Sequence, residues 1–174
     1  MMKRITTPIN EETRLSLRAG EEVIISGKIY TGRDAAHKRF VEHLSANGSL
    51  PFDFNEQIIY YTGPTPEKPG MPIGACGPTS SYRMDPYSIQ LMPMGMKIMI
   101  GKGERDKAFQ SKLVETKSVY LIAIGGIGAI LSKTVKSSKT LLYEDLSSEA
   151  VRELEVVDFP VIVAYDACGN SIFK

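Results

Sequence analysis

Lys97-Ile98-Met99-Ile100-Gly101, then Phe109 and Leu113, then Val119-Tyr120-Leu121-Ile122-Ala123-Ile124 make up the stretch that decides the fold. Lys97–Ile100 is a short apolar run closed by glycine and reads as a strand. Glu104–Glu115 is charged, but Phe109 and Leu113 stand four apart and face inward together, as in a helix. Val119–Ile124 is a second strand. A strand, a helix and a strand at this spacing form a βαβ crossover, so at least part of the sheet is parallel.

Downstream, Gly126–Thr134 predicts a small-residue helix and Leu141–Tyr143 a third strand. Ser148–Arg152 follows as a short helical turn, and Val161–Tyr165 is a last strand closed by Gly169-Asn170. Upstream, Val23–Tyr30 is a β-branched strand, and Leu15 and Leu17 alternate with polar residues as in another, with Gly20 and Glu21 between them as the turn. From Arg33 the period changes. Ala36, Phe40, Val41 and Leu44 sit at helical spacing until Asn47-Gly48 stops them. Gln57–Thr62 is a short strand, Gly63–Gly70 is too rich in proline for regular structure, and Met71–Cys76 reads as a buried strand. A helix starts near Thr79–Asp85 and runs through Tyr87, Leu91 and Met92, limited by Pro86 and Pro93. The class is α/β, one domain over residues 1–174 with a β-rich N-terminal portion.

The bulk numbers fit a globular domain, with 43% hydrophobic and 24% charged residues. A formal net charge of +1 argues against a dedicated nucleic-acid surface. Two distant cysteines, Cys76 and Cys168, match no metal or cluster spacing and fit a reducing compartment. No apolar segment follows the first basic residues, and Val119–Leu131 is too short to span a bilayer, so a cytoplasmic location without membrane contact is expected.

Three junctions carry candidate chemistry. Gly77-Pro78-Thr79-Ser80-Ser81-Tyr82-Arg83-Met84-Asp85 follows a strand and opens a helix, where backbone N–H groups attract anions. Arg83 stands about one helical turn beyond Thr79, so both reach one small site; the alternative is a cap with Arg83 paired to an acid such as Asp85. Thr31-Gly32-Arg33-Asp34-Ala35-Ala36-His37 is a second such junction. Here Asp34 caps the helix, His37 packs inside it, and Arg33 either pairs with a surface acid such as Asp34 or faces a ligand. Gly101-Lys102-Gly103 is the third, a solvated turn or a close approach to an anion. Gly125-Gly126-Ile127-Gly128 lacks the dinucleotide spacing and reads as close helix–strand packing. Together Arg33, Arg83 and Lys102 suit a small dianion at the carboxyl ends of strands, yet nothing here supplies an electrophile.

The sequence resembles the β subunit, or the equivalent C-terminal region, of class I iron–sulfur fumarate hydratases and L(+)-tartrate dehydratases. The likeness is carried by Gly27–His37, Tyr61-Thr62-Gly63-Pro64, Gly74–Asp85, Met99–Gly103, Ala123–Gly126, Tyr143–Leu146 and Asp158–Val161. It implies a swivelling β/β/α domain and reversible hydration of a C4 dicarboxylate, fumarate to malate, with tartrate the alternative substrate. A non-catalytic anion-binding module of the same fold is the further alternative. It also implies a [4Fe–4S] cluster held by an α subunit and none by this chain, in an α2β2 hetero-oligomer. Arg33 and Arg83 would clamp carboxylates, Lys102 would add a cation, and Thr79 would abstract a proton. Ser80, Ser81 and Tyr82 depart from the second threonine and small residues common in the family.

Overall fold

The computed structural model describes residues 2–124 and 128–173. Its strands are β1 (Met2–Thr6), β2 (Glu22–Thr31), β3 (Ile59–Tyr60), β4 (Ile98–Gly101), β5 (Val119–Ala123), β6 (Val135–Leu142) and β7 (Val151–Tyr165). The helices are α1 (Glu11–Ser16), α2 (Asp34–Asn47), α3 (Asp85–Leu91), α4 (Lys107–Glu115) and α5 (Gly128–Ser132). None of these is long and apolar enough to cross a membrane.

Strands β2, β3, β4 and β5 are parallel neighbours, with α2, α3 and α4 in the crossovers between them. β7 runs antiparallel to both β5 and β2, so it closes the sheet on itself; β1 and β6 flank the closure. The sheet is therefore mixed and the α/β class holds. Strand alternation sorts the core into two layers. Ile25, Ile29, Ile98, Ile100, Val119, Leu121 and Val161 fill the inside of the closed sheet. Tyr30, Ile59, Tyr61, Met99 and Tyr120 face the other way, onto Phe40, Leu91, Met92, Phe109 and Leu113 of the helical layer. The four methionines of residues 92–99 mostly fill core: Met92, Met96 and Met99 are buried and Met94 is exposed. Gly27 allows β2 and β7 to shift register, since its φ is +113° and a Cβ there would lie 2.3 Å from Thr7 Oγ1.

Four segments differ from the sequence expectation. Leu15 and Leu17 mark no strand: Asn10 Oδ1 accepts a hydrogen bond from Thr13 N at 2.8 Å and caps α1, whose first turn carries Glu11 and Glu12. Met71–Cys76 stays a loop because it pairs with another loop. Thr65 N donates to Ala75 O at 3.0 Å, and Ala75 N to Thr65 Oγ1 at 2.8 Å. The turn expected at Ser148–Arg152 lies earlier, as a 3-10 segment Glu144–Glu149, and β7 has already begun at Val151. The strand expected at Leu141–Tyr143 begins earlier, at Val135, and ends at Leu142. The small-residue helix is seen from Gly128 to Ser132; Gly125, Gly126 and Ile127 lie outside the described residues.

Candidate functional site

Parallel strands β2, β3 and β4 end side by side, so the segments that follow β2 and β4 lie near one another. Arg33 stands two residues past β2, at the N-cap of α2 in an extended conformation. Its carbonyl accepts from His37 N at 2.9 Å and lies 2.7 Å from His37 Nδ1, while its side chain crosses Gly63. A Cβ on Gly63 would come within 2.7 Å of Arg33 Cδ, so only glycine leaves the guanidinium in place. Arg33 Nε is buried without a hydrogen-bond partner, and the nearest acid, Asp34 Oδ1, is 3.8 Å away.

Asp34 joins the two arginines. Arg83 Nε lies 3.2 Å from Asp34 Oδ2, and Arg83 Nη2 donates to Oδ1 at 3.3 Å. Asp34 therefore does not cap α2; Glu149 does, accepting from Ala35 N at 3.1 Å. Asp85, the partner expected for Arg83, is buried elsewhere.

Thr79 and Lys102 are brought together by backbone. Ser80 and Lys102 form an isolated parallel bridge; Ser81 N donates to Lys102 O at 3.0 Å, and Lys102 N to Ser81 Oγ at 2.8 Å. A Cβ on Gly101 would sit 1.8 Å from that Oγ, which fixes glycine at the end of β4. Thr79 N donates to Tyr61 O at 2.7 Å. The amides of Thr79 and Ser81 are thus spent inside the protein, and Thr79 precedes the 3-10 turn Ser81–Met84 that leads into α3. The expected anion-binding helix start with Thr79 and Arg83 one turn apart is absent here. The side chains carry the site instead. Among the described residues, the Thr79 hydroxyl has no hydrogen-bond partner and Lys102 forms no ion pair.

One group behind the site escaped local pattern. Arg105, within a charged triplet that reads as solvated helix start, is fully buried. Its Nε donates to Asp85, Nη1 to Tyr61 Oη at 3.3 Å and Nη2 to Ser88 Oγ at 3.2 Å, with the guanidinium 3.6 Å from the Phe109 ring centroid. Asp85 also accepts from Asp106 N at 3.0 Å. This pair ties the segment bearing Arg83 to the segment bearing Lys102. Burial pushes the Asp85 carboxyl up, opposed by Arg105 and the Asp106 amide.

His37 packs inside α2, as expected from the sequence. Its ring packs edge-on to Tyr61 and Phe40, and with Nδ1–H donating to Arg33 O, Nε2 is left buried without a partner. Burial holds its pKa down at about 4. Because the unfolded value is near 6.5, His37 must stay neutral to fold. Its contribution is complete above about pH 6.5 and disappears as pH falls to about 4, a swing of about 3 kcal/mol. Urea unfolding of the chain should weaken over that window, and His37→Gln should flatten the decline; parallel pH profiles for the two would contradict this.

A closed mixed sheet, with Arg33 just past the end of β2 and Lys102 just past the end of β4, defines an α/β domain. The chain belongs to the fumarase C-terminus family, whose model matches residues 2–174. It is 40% identical over 164 residues to a Methanocaldococcus jannaschii protein provisionally named L(+)-tartrate dehydratase subunit beta, covering 91% of this chain and 84% of that one. It is 35% identical over 178 residues to the aerobic class I fumarate hydratase of Escherichia coli, and 37% identical over 165 residues to the mitochondrial fumarate hydratase 1 of Leishmania major. These matches cover 99% and 93% of this chain but only 31% and 28% of those longer enzymes. The relatives are hydro-lyases by name, and the chain is a member of a hydro-lyase family.

Proposed function

We propose that the chain is the β subunit of a hydro-lyase that interconverts fumarate and malate, and that it works only when joined to an α subunit. The observation that carries this reading is Arg33 and Arg83 converging on Asp34, with an unpaired Lys102 and an unpartnered Thr79 hydroxyl on the two bridged segments that adjoin the Arg83 turn. An incoming carboxylate competes with Asp34 for guanidinium groups already aimed at a carboxylate, an exchange that needs little reorganisation. In the dehydration direction Thr79, as its alkoxide, takes the proton from the carbon beside the hydroxyl-bearing one as hydroxide departs, and in hydration it returns that proton to the same carbon. A threonine hydroxyl is a poor base, so Lys102, on the bridged neighbouring segment, offsets the alkoxide charge.

The residues of this chain do not fit an iron–sulfur cluster. A site-differentiated cluster takes three thiolates, and of two cysteines Cys76 is buried with its thiol pushed up to about 12. The cluster of the proposed enzyme belongs to the α subunit, in a cytoplasmic α2β2 assembly. The M. jannaschii relative, which this chain matches nearly end to end, supports a second reading with tartrate as substrate. Initial rates of the assembled enzyme with fumarate and with L(+)-tartrate separate the two. Turnover of fumarate is expected, turnover of tartrate alone establishes the second reading, and turnover of neither overturns both.

A further inference from the structure

Gly63 separates Arg33 from a cavity of about 170 Å³ that none of Arg33, Thr79, Arg83 and Lys102 lines. Its walls include Thr65, Glu67, Ser147, Ser148 and Arg152. A Cβ on Gly63 would lie 2.7 Å from Arg33 Cδ and 3.2 Å from Ser148 O, so the cavity and Arg33 share one thin partition. Backbone ties them as well: Arg152 N donates to Thr31 Oγ1 at 3.0 Å, two residues before Arg33.

Arg152 is the unusual member. It is half-buried, its Nε is sealed from solvent without an acceptor, and among the described residues no acid lies within 4 Å of its guanidinium. Arg152 thus brings to the cavity wall a guanidinium without a counter-charge among the described residues. The hydroxyls of Ser147 and Ser148 are exposed at the cavity without a hydrogen-bond partner among the described residues. The volume exceeds a single water's share of about 30 Å³ and falls short of the roughly 300 Å³ of a drug-sized pocket. That is room for one small organic anion. Glu67, the one acid on the wall, stands on the exposed loop and opposes an anion rather than neutralising Arg152.

We propose that this cavity is a second small-carboxylate site, with Arg152 its cation and the Ser147 and Ser148 hydroxyls its further donors. It lies beside the Arg33–Arg83 pair but is separate from it, and it does not depend on the hydro-lyase reading. A planar carboxylate takes the terminal nitrogens of the guanidinium at the cavity wall. The position, one glycine away from Arg33, makes it a waiting or regulatory site for the same kind of anion that Arg33 attracts.

The test is an amide-shift NMR titration of the full chain with sodium malate at constant ionic strength. Saturable shifts are expected at Ser147, Ser148 and Arg152. Arg152→Ala should weaken them at least tenfold, Arg152→Lys should weaken them less because the charge remains, and Glu67→Gln should tighten them two- to fivefold. Arg83→Ala should leave these shifts unchanged. Shifts confined to Gly32, Arg33 and Arg83, or shifts at Ser147 and Ser148 that survive in both Arg152 variants, would overturn the proposal without touching the hydro-lyase reading. Should Arg152→Ala fail to fold, the Lys and Gln variants still decide: unchanged affinity in both is fatal to the site.

Discussion

Asp85→Ala should cost the chain about 3–5 kcal/mol of folding stability, because it strands the Arg105 guanidinium in the core without its counter-charge. Arg105 cannot escape by losing its proton, since a guanidinium stays charged in proteins. It keeps Tyr61 and Ser88 as neutral partners and the Phe109 face beneath it, which soften the loss without cancelling it. Nor can the side chain swing out, because Phe109, Tyr120 and Tyr61 enclose it. The other ion pair of the site makes the contrast. Asp34 and Arg83 are each 39% exposed, so Asp34→Ala should cost under about 1 kcal/mol. Urea midpoints of the two variants measure both. Equal midpoints would show that the buried pair is no anchor for the site.

Arg83→Ala is expected to lower kcat/KM of the assembled enzyme by about 10²–10³, the usual cost of removing a charged group that meets developing or substrate charge. Folding should survive, since the side chain stands at the surface on a 3-10 turn held by other groups. Asp34 then keeps only Arg33, at 3.8 Å, so the remaining arginine is partly neutralised as well. The loss should therefore fall on substrate binding and on turnover together. Steady-state kinetics of the reconstituted complex checks this, and rates unchanged from wild type would remove Arg83 from the site.

How much of this was legible in the sequence depends on how local each feature is. β4, α4 and β5 were readable because Ile98, Phe109, Leu113 and Val119 carry their own periodicity, and α2 ended where Gly48, at φ +73°, makes a left-handed cap. α1 was lost because Leu15 and Leu17, two apart, carry the strand period while Leu17 is the residue just past the helix, although Asn10 before two glutamates was the cap signal. Only the end of β7 was seen. Asp158 (φ +58°) and Pro160 interrupt the pattern, yet the strand continues because Ile24 and Ile25 pair across them and Ser26 Oγ accepts from Asp158 N.

The site divides the same way. Arg33, Thr79, Arg83 and Lys102 stood out as polar residues at strand ends. Their meeting through Asp34 and the Ser80–Lys102 bridge is a property of neighbouring crossovers, invisible to any local window. The Arg105–Asp85 pair spans twenty residues and hides in a triplet that reads as solvent-facing charge.

The central claim is that this chain holds half of a hydro-lyase site. The direct measurement is fumarate hydration by the purified chain before and after mixing with a cluster-bearing α subunit. The chain alone should show neither turnover nor iron–sulfur absorbance, and activity should appear on mixing. Robust turnover by the isolated chain would contradict the account.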